Sequence, residues 1–266
     1  MDTDVAARDD VEGGEASRQA MHMTIVLPVY NEEKSLPALL QKIDRAYAHY
    51  GWDASVLIIN DGSTDASLAV AREFESNIPI EIIDVQPNRG LANAINTGLR
   101  RGVERSSDRD IVVTLDADDS QNPFLIQRMA QQIAEGSDVV IASRYQPGAR
   151  VRGVKPSRRL FSRAAGVLFR LVAGIEGVKD YTCGFRAYRV EILRKAIHAY
   201  GDRLITQKGF GCMVELLLKL RAQTAIVTEV PMILRYDLRQ GESKMNVQQT
   251  VKQTLALLLE HKRGRT

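Results

Sequence analysis

Three carboxylates follow a short apolar segment near the middle of the chain. Residues 111–115 are mostly β-branched or apolar, and Asp116, Asp118 and Asp119 come directly after them. Such a segment predicts a buried strand, and ligands of open α/β sheets bind beyond the carboxyl ends of the strands. Asp116 and Asp118 are therefore candidate ligands of Mg²⁺ or Mn²⁺, which prefer hard oxygen ligands and leave coordination positions open for phosphate oxygens.

The same stretch also has an interpretation without a metal. Asp116 or Asp119 would then begin a turn, and Asn122 would cap a helix that opens with Pro123. Taken alone, these residues leave both interpretations open. The polar loops further upstream favour the metal interpretation, because they predict a ligand at the same edge of the sheet.

Two earlier apolar segments, residues 24–30 and 55–60, also lead into polar loops. Tyr30 can stack on a base or ribose, Glu32 can accept hydrogen bonds from it, and Asp61 can accept one from an exocyclic nitrogen or ring N–H of a base. These side chains predict a nucleotide site. Neither a dinucleotide fingerprint nor a Walker sequence follows any strand, so we expect the phosphates to lie on the metal and on cations further along.

Apolar strands alternate with helical segments along the chain. We predict strands at 24–30, 55–60, 80–85, 111–115 and 138–143, helices at 35–49, 66–76, 91–103, 123–134 and 210–220, and closing strands within 225–236. Asn31 or Ser35 would cap the first helix and Asp65 the second. This alternation predicts an α/β fold with a mostly parallel sheet flanked by helices, in a single domain over residues 21–245.

The composition is that of a globular protein. The chain has 266 residues, 44% of them hydrophobic, and a net charge of +3. Residues 1–20 are rich in Asp, Glu, Gly and Ala and are predicted to be a disordered tail. Cys183 and Cys212 lie far apart and outside any metal-ligand spacing, which favours a reduced compartment. Because no apolar run is long enough for a membrane span and no signal peptide is recognisable, we expect a cytoplasmic protein.

Basic residues are concentrated in the second half. Residues 144–170 contain eight Lys or Arg and no acid. Arg158, Arg159 and Phe161 belong to a basic, amphipathic segment suited to an anionic membrane surface, although a core helix with a charged face has the same pattern. Little aromatic interleaving and no recognition motif argue against nucleic acid as a partner. Residues 246–266 predict a C-terminal amphipathic helix that packs on the domain or enters the bilayer surface.

Four short motifs follow one another in the first half of the chain. They are Leu27-Pro28-Val29-Tyr30-Asn31-Glu32, Asn60-Asp61-Gly62-Ser63-Thr64-Asp65, Asn88-Arg89-Gly90-Leu91 and Asp116-Ala117-Asp118. Their order and spacing resemble the nucleotide-sugar domain of family 2 inverting glycosyltransferases with the GT-A fold. The later part is similar to the polyprenyl-phosphate sugar synthases of the dolichol-phosphate mannose synthase type, in Ser143-Arg144-Tyr145, Ser162-Arg163, Thr182-Cys183-Gly184-Phe185-Arg186-Ala187-Tyr188 and Gly241-Glu242-Ser243-Lys244.

The resemblance implies roles for the matching positions. The base and ribose pocket would be lined by Pro28, Tyr30, Glu32, Ile59 and Asp61. Metal and diphosphate would lie on Asp116 and Asp118, with the donor also contacting the Ala117 backbone and the cations Arg144, Arg239 and Lys244. The acceptor phosphate would lie on Arg144, Arg159, Arg163 and Lys244, and the catalytic residues would be Asp118, Arg144 and Arg163.

Two positions depart from the family pattern. Asn60 stands where the family usually has an acid, so it cannot supply a second charge beside Asp61. The spacing from Arg239 to the Gly241-Glu242-Ser243-Lys244 motif is a residue tighter than in relatives, which leaves Arg235 as an alternative for the role of Arg239.

The implied activity is transfer of a hexose from a nucleotide sugar to a polyprenyl phosphate, dolichyl or undecaprenyl, with inversion and a divalent metal. GDP-mannose is the first candidate donor and UDP-glucose the second. The acceptor phosphate is an anion at neutral pH, so no strong general base is needed. We expect a peripheral protein on the cytoplasmic face of the membrane, where a membrane protein partner would anchor it.

Two other functions stay open. Transfer to a hydroxyl of a soluble acceptor or glycan would need a carboxylate base, for which Asp119, Asp180 and Glu215 are candidates. Glu215 lies inside an apolar helical segment, where a buried acid would need a partner such as Arg186 or an arginine of the basic segment. The third possibility is a nucleotide-sugar-binding module at the membrane surface that lacks catalysis.

Overall fold

The computed structural model describes residues 21–154, 166, 174–209 and 211–239. The predicted tail, most of the basic segment, the C-terminal helix, Arg159, Arg163 and Lys244 lie outside these residues. No helix within the described ranges combines the length and the apolar content of a membrane span.

Strands and helices alternate through the first five strands. The strands are β1 (Met23–Val29), β2 (Ala54–Asp61), β3 (Ile80–Val85), β4 (Ile111–Thr114), β5 (Val139–Ser143), β6 (Arg150–Arg152), β7 (Arg186–Arg189), β8 (Val227–Pro231) and β9 (Ile233–Arg235). The helices are α1 (Leu36–Tyr50), α2 (Ser67–Glu73), α3 (Leu91–Glu104), α4 (Leu125–Ala134), α5 (Val190–Tyr200) and α6 (Gly211–Ala222), and a 3₁₀ turn covers Gly201–Arg203.

The central sheet has seven strands in the order β3-β2-β1-β4-β7-β5-β8. Every neighbouring pair is parallel except the two that involve β7, which runs antiparallel to β4 and β5. The short strands β6 and β9 pair in a separate parallel ladder. The predicted mostly parallel sheet with flanking helices is thus confirmed, while β6, β7 and α5 have no counterpart among the predicted elements.

The middle of the sheet is covered on both faces. Almost every residue of β1, β2, β4 and β5 is buried, the pattern of strands with helices on both sides. The buried residues of α1 include Leu36, Leu39, Leu40 and Ile43, whose spacing puts them on one helix face. Burying each such side chain contributes roughly 1.5–3 kcal/mol to folding.

The two caps expected for α1 are wrong. Ser35 precedes the helix but has helical dihedral angles, from which its buried hydroxyl makes no capping hydrogen bond. Asn31 has a left-handed backbone, with φ of 53°, and its side chain binds the loop after β2 instead. The cap expected for α2 is also wrong, because Ala66 holds the cap position and makes no side-chain cap bond. Asp65 lies one residue earlier, and its carboxylate accepts the N–H of Ser67 at 2.9 Å in the turn that leads into the helix.

Two glycines let α3 lie close to the sheet. A Cβ on Gly98 would lie 2.2 Å from Cγ1 of Val26, and one on Gly102 would lie 2.9 Å from Cγ2 of Val112. Real Cβ atoms do not come this close to other heavy atoms, so the helix packs at a distance that requires glycine.

Replacing Gly98 with alanine should destabilise the protein, although alanine favours a helix by about 1 kcal/mol over glycine. The added methyl group meets the stiff Val26 side chain, and overpacking of this kind costs about 1–3 kcal/mol. Thermal unfolding followed by circular dichroism should therefore show a lower Tm for Gly98→Ala. Gly102→Ala, whose contact is longer, should lower the Tm less, and a Gly98→Ala variant as stable as the wild type would contradict the close packing.

Candidate active site

Three loops meet where the parallel strands β1, β2 and β4 end. The loops are residues 30–35, 62–66 and 115–124. The first two are joined, since the N–H of Thr64 donates to Asn31 Oδ1 at 2.8 Å and the N–H of Glu32 donates to the Ser67 hydroxyl at 2.7 Å. These bonds hold the two nucleotide-binding candidate loops in a fixed arrangement.

The predicted pocket residues of β1, β2 and the third loop differ in how exposed their side chains are. Tyr30 is 36% exposed, and Pro28 is half-buried. The Ile59 side chain is fully buried against α3, where a Cβ on Gly98 would lie 3.4 Å from Ile59 Cγ1, and Ala117 is also buried. A nucleotide at this edge would therefore meet the side chain of Tyr30 but the backbone of Ile59 and Ala117.

Asp61 fixes the loop that precedes α3. Its buried carboxylate accepts the N–H of Arg89 at 2.9 Å and that of Gly90 at 2.7 Å. A carboxylate is favourable at a helix N-terminus because of the partial positive charge there. A Cβ on Gly62 would lie 2.4 Å from the nitrogen of Asn88, so the loops after β2 and β3 pack tightly together. The contact of Asp61 with a base stays a prediction.

The charge that Asn60 lacks is present on the next strand. Asn60 Nδ2 donates to Asp84 Oδ1 at 2.7 Å, and the two residues are direct partners in the β2–β3 register. Gln86 Nε2 donates to the same oxygen at 3.2 Å. An acid therefore lies beside position 60, although β3 supplies it and the motif on β2 does not.

Asp116 and Asp118 lie in the loop after β4. Asp116 Oδ2 accepts from Gln121 Nε2 at 2.7 Å, and Asp118 Oδ1 accepts from the Ser120 hydroxyl at 2.6 Å. A Cβ on Gly184 would lie 2.9 Å from Asp116 Oδ1, so any side chain at position 184 would displace that carboxylate. Both carboxylates are thus held in place by one oxygen each. The other oxygens, Asp116 Oδ1 and Asp118 Oδ2, take no part in these two bonds.

Positive charge faces the two carboxylates. Arg239 Nε lies 3.4 Å from Asp118 Oδ2. Burial, and to a smaller extent the charge of Asp118, raise the pKa of Asp116 to about 7. The charges of Arg239 and Arg144 act in the opposite direction. Arg235, the alternative to Arg239, pairs instead with Asp237 at 2.7 Å near the surface. Of these two arginines, the structure brings Arg239 to the carboxylates.

Arg144 follows β5 and is held by Asp180. Its Nε donates to Asp180 Oδ2 at 2.7 Å, and its Nη2 donates to Oδ1 at 2.6 Å and to the Thr182 hydroxyl at 2.8 Å. Burial opposes the ionisation of Asp180, but the Arg144 charge and its hydrogen bonds hold the pKa of this carboxyl below its usual value. The result is a bidentate pair with a fixed guanidinium.

The carboxylates considered as a general base are paired with cations. Both oxygens of Asp119 lie 2.7 Å from Lys42 Nζ, and Asp119 itself has a left-handed φ of 58°. Asp180 is bound to Arg144 as described above. The Asp180 carboxylate is a weak proton acceptor, because the Arg144 guanidinium stabilises its ionised form and lowers its pKa. The Asp119 carboxylate is held by the two bonds to Lys42.

Glu215 has a different partner from the one expected. Its Oε1 lies 2.7 Å from Lys219 Nζ, one helical turn further along α6. Arg186 donates instead to the carbonyl oxygens of Met213 and Tyr181, both at 2.7 Å. The expectation of an Arg186–Glu215 pair is wrong, because the lysine on the same helix is already adjacent and Arg186 serves buried backbone groups.

Asp116 and Asp118 are suited to a divalent cation. The described ranges contain no group of three or more His, Cys, Asp or Glu side chains placed around one metal position. Two carboxylates suffice for Mg²⁺ or Mn²⁺ when water and substrate phosphates supply the remaining ligands. The close approach of Gly184 to Asp116 Oδ1 holds this carboxylate in place, and the raised pKa of Asp116 fits a cation beside it.

Gln121 and Gly184 are site residues that the sequence interpretation does not assign. Gln121 contacts Asp116 through both its amide nitrogen and, at 3.1 Å, its amide oxygen, which accepts the Asp116 N–H. An amide side chain within the loop of the carboxylates is a signal for such a role. Gly184 belongs to a quoted motif, but its closeness to Asp116 follows only from the pairing of β7 with β4.

Asp116→Asn should change stability in a pH-dependent manner. The pKa of Asp116 is about 7 in the folded protein and its usual value is 3.8, so the folded state binds this proton more tightly. The associated stability is fully present below pH ~4 and is lost as the pH rises through about 7. In metal-free protein, Asp116→Asn, whose amide is neutral at every pH, should therefore raise the Tm at pH 8 and change it little at pH 4.

Mn²⁺ provides the control for this experiment. It should raise the Tm of the wild type at pH 8 and raise that of Asp116→Asn much less, because the variant lacks one charged ligand. Equal changes in Tm at both pH values would contradict the raised pKa of Asp116.

Gly184→Ala should weaken metal binding without unfolding the protein. The new methyl group would displace Asp116 Oδ1, and disturbing a metal ligand in this way typically reduces affinity ~10- to 100-fold. Calorimetric titration with Mn²⁺ and a nucleoside diphosphate measures the effect. Gly211→Ala is the matched control, since its Cβ would lie 3.5 Å from Gln207 in ordinary contact. Equal affinities for the two variants would contradict the placement of Gly184 against the metal site.

Several known proteins are similar to this chain in sequence. Residues 24–197 match the family model described as Glycosyl transferase family 2. Polyprenol monophosphomannose synthase of Mycolicibacterium smegmatis is 29% identical over 86% of this chain and 83% of its own length. Undecaprenyl-phosphate mannosyltransferase of Micrococcus luteus is 31% identical over 85% and 88%. Dolichol-phosphate mannosyltransferase of Pyrococcus furiosus is 30% identical over 85% of this chain, which spans 59% of that relative's length.

A solved structure has the same fold. Glucosyl-3-phosphoglycerate synthase from Mycobacterium tuberculosis, in complex with Mn²⁺, uridine diphosphate and phosphoglyceric acid, has a TM-score of 0.64 over 93% of this chain and 80% of that chain, at 19% identity. At this identity the likeness concerns the fold alone. Together with the family match and the loops that meet beyond β1, β2 and β4, it confirms the resemblance: the chain belongs to glycosyl transferase family 2 and has the GT-A fold.

Proposed function

We propose that this protein transfers a hexose from a nucleotide sugar to a polyprenyl phosphate, with inversion at the anomeric carbon. One observation carries the proposal: Asp116 and Asp118 lie at the carboxyl end of a central strand and face Arg239. The site thus combines negative charge for a cation with positive charge for phosphate groups. The names of the relatives from M. smegmatis, M. luteus and P. furiosus, which refer to polyprenol, undecaprenyl and dolichol phosphates, support the acceptor class.

The donor would bind along the loops after β1, β2 and β4. Tyr30, Glu32 and Asp61 would contact the base and ribose, as the family resemblance implies. Mg²⁺ or Mn²⁺ on Asp116 and Asp118 would offset the negative charge of the leaving nucleoside diphosphate. The M. tuberculosis structure of the same fold, which contains Mn²⁺ and uridine diphosphate, supports a divalent cation.

Arg239 would bind the donor diphosphate. Its guanidinium is 3.4 Å from Asp118, so it lies close to a diphosphate that a cation on that carboxylate would hold. An arginine binds phosphate oxygens through charge-assisted hydrogen bonds. Lys244 would add a second cation from the same C-terminal part of the chain.

Arg144 would hold the acceptor phosphate. Asp180 and Thr182 restrict its guanidinium on one side, which leaves a preorganised cation for a phosphate on the other. Arg159 and Arg163 of the basic segment would complete the acceptor site. The acceptor is a lipid, so we infer that the protein works at a membrane surface, where the excess of Lys and Arg in residues 144–170 favours anionic headgroups.

The reaction is a direct displacement. An oxygen of the acceptor phosphate forms a bond to the anomeric carbon while the bond to the nucleoside diphosphate breaks on the opposite face, which inverts the configuration. The phosphate oxygen is already anionic, so no proton has to be removed. The pairing of Asp119, Asp180 and Glu215 with cations supports this acceptor over a hydroxyl, which would need one of them as a base.

The donor sugar is proposed as mannose, supplied by GDP-mannose, with UDP-glucose as the second candidate. The names of the three relatives support mannose, since each is a mannosyltransferase or a phosphomannose synthase. A further relative, from Pectobacterium carotovorum, is named for transfer of a formamido-arabinose to undecaprenyl phosphate and is 34% identical over 67% of this chain. Sugar choice therefore has to be measured with both donors.

Incubation with a labelled nucleotide sugar tests the proposal. Purified protein, a polyprenyl monophosphate, Mg²⁺ or Mn²⁺ and labelled GDP-mannose or UDP-glucose should yield label in the organic phase after extraction. EDTA should abolish the transfer, and Asp118→Ala should reduce it by at least ~10-fold because a metal ligand is lost. Asp202→Ala, in which an exposed aspartate far from these carboxylates in the chain is removed, serves as the control and should retain full transfer.

Each negative result has its own meaning. Full transfer with EDTA present, or by Asp118→Ala, would contradict the metal role of the carboxylates. Nucleotide binding without any label in the lipid phase would contradict the polyprenyl phosphate acceptor. It would favour a soluble or glycan hydroxyl acceptor, or a nucleotide-sugar-binding module without catalysis.

A further inference from the structure

A glutamate on β8 holds the segment that carries Asp180. We propose that Glu229 is a positioning residue for transfer, acting on Arg144 through the backbone of residues 179 and 180. The inference rests on the proposed function of Arg144 in binding the acceptor phosphate. Glu229 belongs to none of the motifs that suggested the family, and it contributes no group to the site itself.

Glu229 binds two consecutive backbone groups of this segment. Its Oε1 accepts the N–H of Lys179 and the N–H of Asp180, both at 2.7 Å. Hydrogen bonds from backbone N–H groups to an ionised carboxylate are shorter and stronger than neutral ones. One oxygen therefore fixes two consecutive peptide groups next to the Asp180 side chain.

Asp180 in turn holds Arg144. The Asp180 carboxylate accepts the Arg144 N–H at 3.0 Å, Nε at 2.7 Å and Nη2 at 2.6 Å, and it also accepts the Cys183 N–H at 3.2 Å. The side chain of Asp180 has no exposed surface. With its backbone held by Glu229 and its carboxylate filled by these donors, Asp180 has little freedom to move away from Arg144.

The two residues at the ends of this series of contacts, Glu229 and Arg144, belong to or follow neighbouring strands. β5 and β8 are parallel neighbours, Glu229 pairs with Ile141, and Arg144 follows the last residue of β5. The segment around Asp180 is bound to both strands, to β8 through Glu229 and to the residue that follows β5 through Arg144. The strand pair therefore sets the position of the Arg144 guanidinium through Glu229 and Asp180.

Stability alone does not account for a glutamate at position 229. Its other oxygen, Oε2, is buried and has no hydrogen-bond partner among the described residues. A buried carboxylate oxygen without a partner is unfavourable, and an apolar side chain would avoid this cost. The contact made by Oε1 is therefore the feature that a glutamate supplies here and an apolar residue does not.

Loss of this contact should act on the reaction more than on the fold. A displacement of about 1 Å in a positioning group costs roughly 100-fold in rate. Glu229→Met keeps the volume of the side chain and removes the acceptor. Glu229→Gln keeps an acceptor oxygen for the two N–H groups. Thr228→Val is the matched control, since it removes the 2.9 Å bond from Thr228 to Ser137 on the opposite side of the same strand.

Two measurements on the full chain test the proposal. The first is the rate of label transfer to polyprenyl phosphate at varied acceptor concentration, with donor binding measured separately by calorimetry. The second is the ¹⁵N-edited signal of the Arg144 Nε–H, assigned through its absence in Arg144→Lys. This signal reports slow exchange of a hydrogen-bonded guanidinium and does not depend on turnover.

We expect Glu229→Met to lower transfer at limiting acceptor by ~10- to 100-fold, with unchanged donor affinity and a broadened Arg144 signal. Glu229→Gln should stay within about threefold of the wild type and keep the signal, as should Thr228→Val. If Glu229→Met does not fold, Glu229→Thr replaces it, because a β-branched residue suits a strand and cannot reach the two N–H groups.

Other outcomes overturn the proposal or the function on which it rests. Wild-type transfer and an unchanged Arg144 signal in folded Glu229→Met, or in Glu229→Thr if it replaces that variant, would overturn it. So would a loss of transfer with that signal retained, since the effect would then not pass through Arg144. Absence of transfer by the wild type would contradict the proposed function, whereas the Arg144 signal would still show whether Glu229 positions this arginine.

Discussion

The burial of two neighbouring carboxylates at the end of β4 sets the requirements for the rest of the site. Burial and the charge of Asp118 together raise the pKa of Asp116 to about 7, so the pair is poorly compensated when no ligand is bound. Arg239, 3.4 Å from Asp118, supplies part of the missing positive charge. A divalent cation would supply the rest and would bring phosphate oxygens with it. The electrostatic cost in the free protein is therefore the same property that favours a metal and a diphosphate in the complex.

The reversed strand β7 joins this carboxylate pair to the arginine that we assign to the acceptor. The segment before β7 is fixed on both sides, by a 2.6 Å bond from the Thr114 hydroxyl to the carbonyl of Gly184 and a 3.0 Å bond from the Ala142 N–H to the carbonyl of Phe185. It places Gly184 against Asp116, and a few residues earlier it carries Asp180, which holds Arg144. A displacement of this segment would thus affect the metal side and the acceptor side together.

The sequence predicts the first half of the fold well because its strands and helices are regular. Runs of apolar residues identify β1 to β5, and the rule on strand ends places Asp116 and Asp118 correctly at the edge of the sheet. Strand β7 cannot be predicted in this way, because it is only four residues long and begins with the fully buried Arg186. It is recognised as a strand only through its pairing with β4 and β5. The bond between Arg144 and Asp180 joins residues 36 positions apart, a separation for which no local pattern exists.

Anomalous diffraction at the manganese edge, from crystals grown with Mn²⁺ and a nucleoside diphosphate, tests the central claim most directly. We expect one strong manganese peak in contact with carboxylate oxygens of Asp116 and Asp118 and with the diphosphate, and we expect the Arg239 guanidinium to contact the diphosphate. A nucleotide bound at the edge of β1, β2 and β4 with no manganese on these two carboxylates, or with manganese elsewhere on the chain, would contradict it.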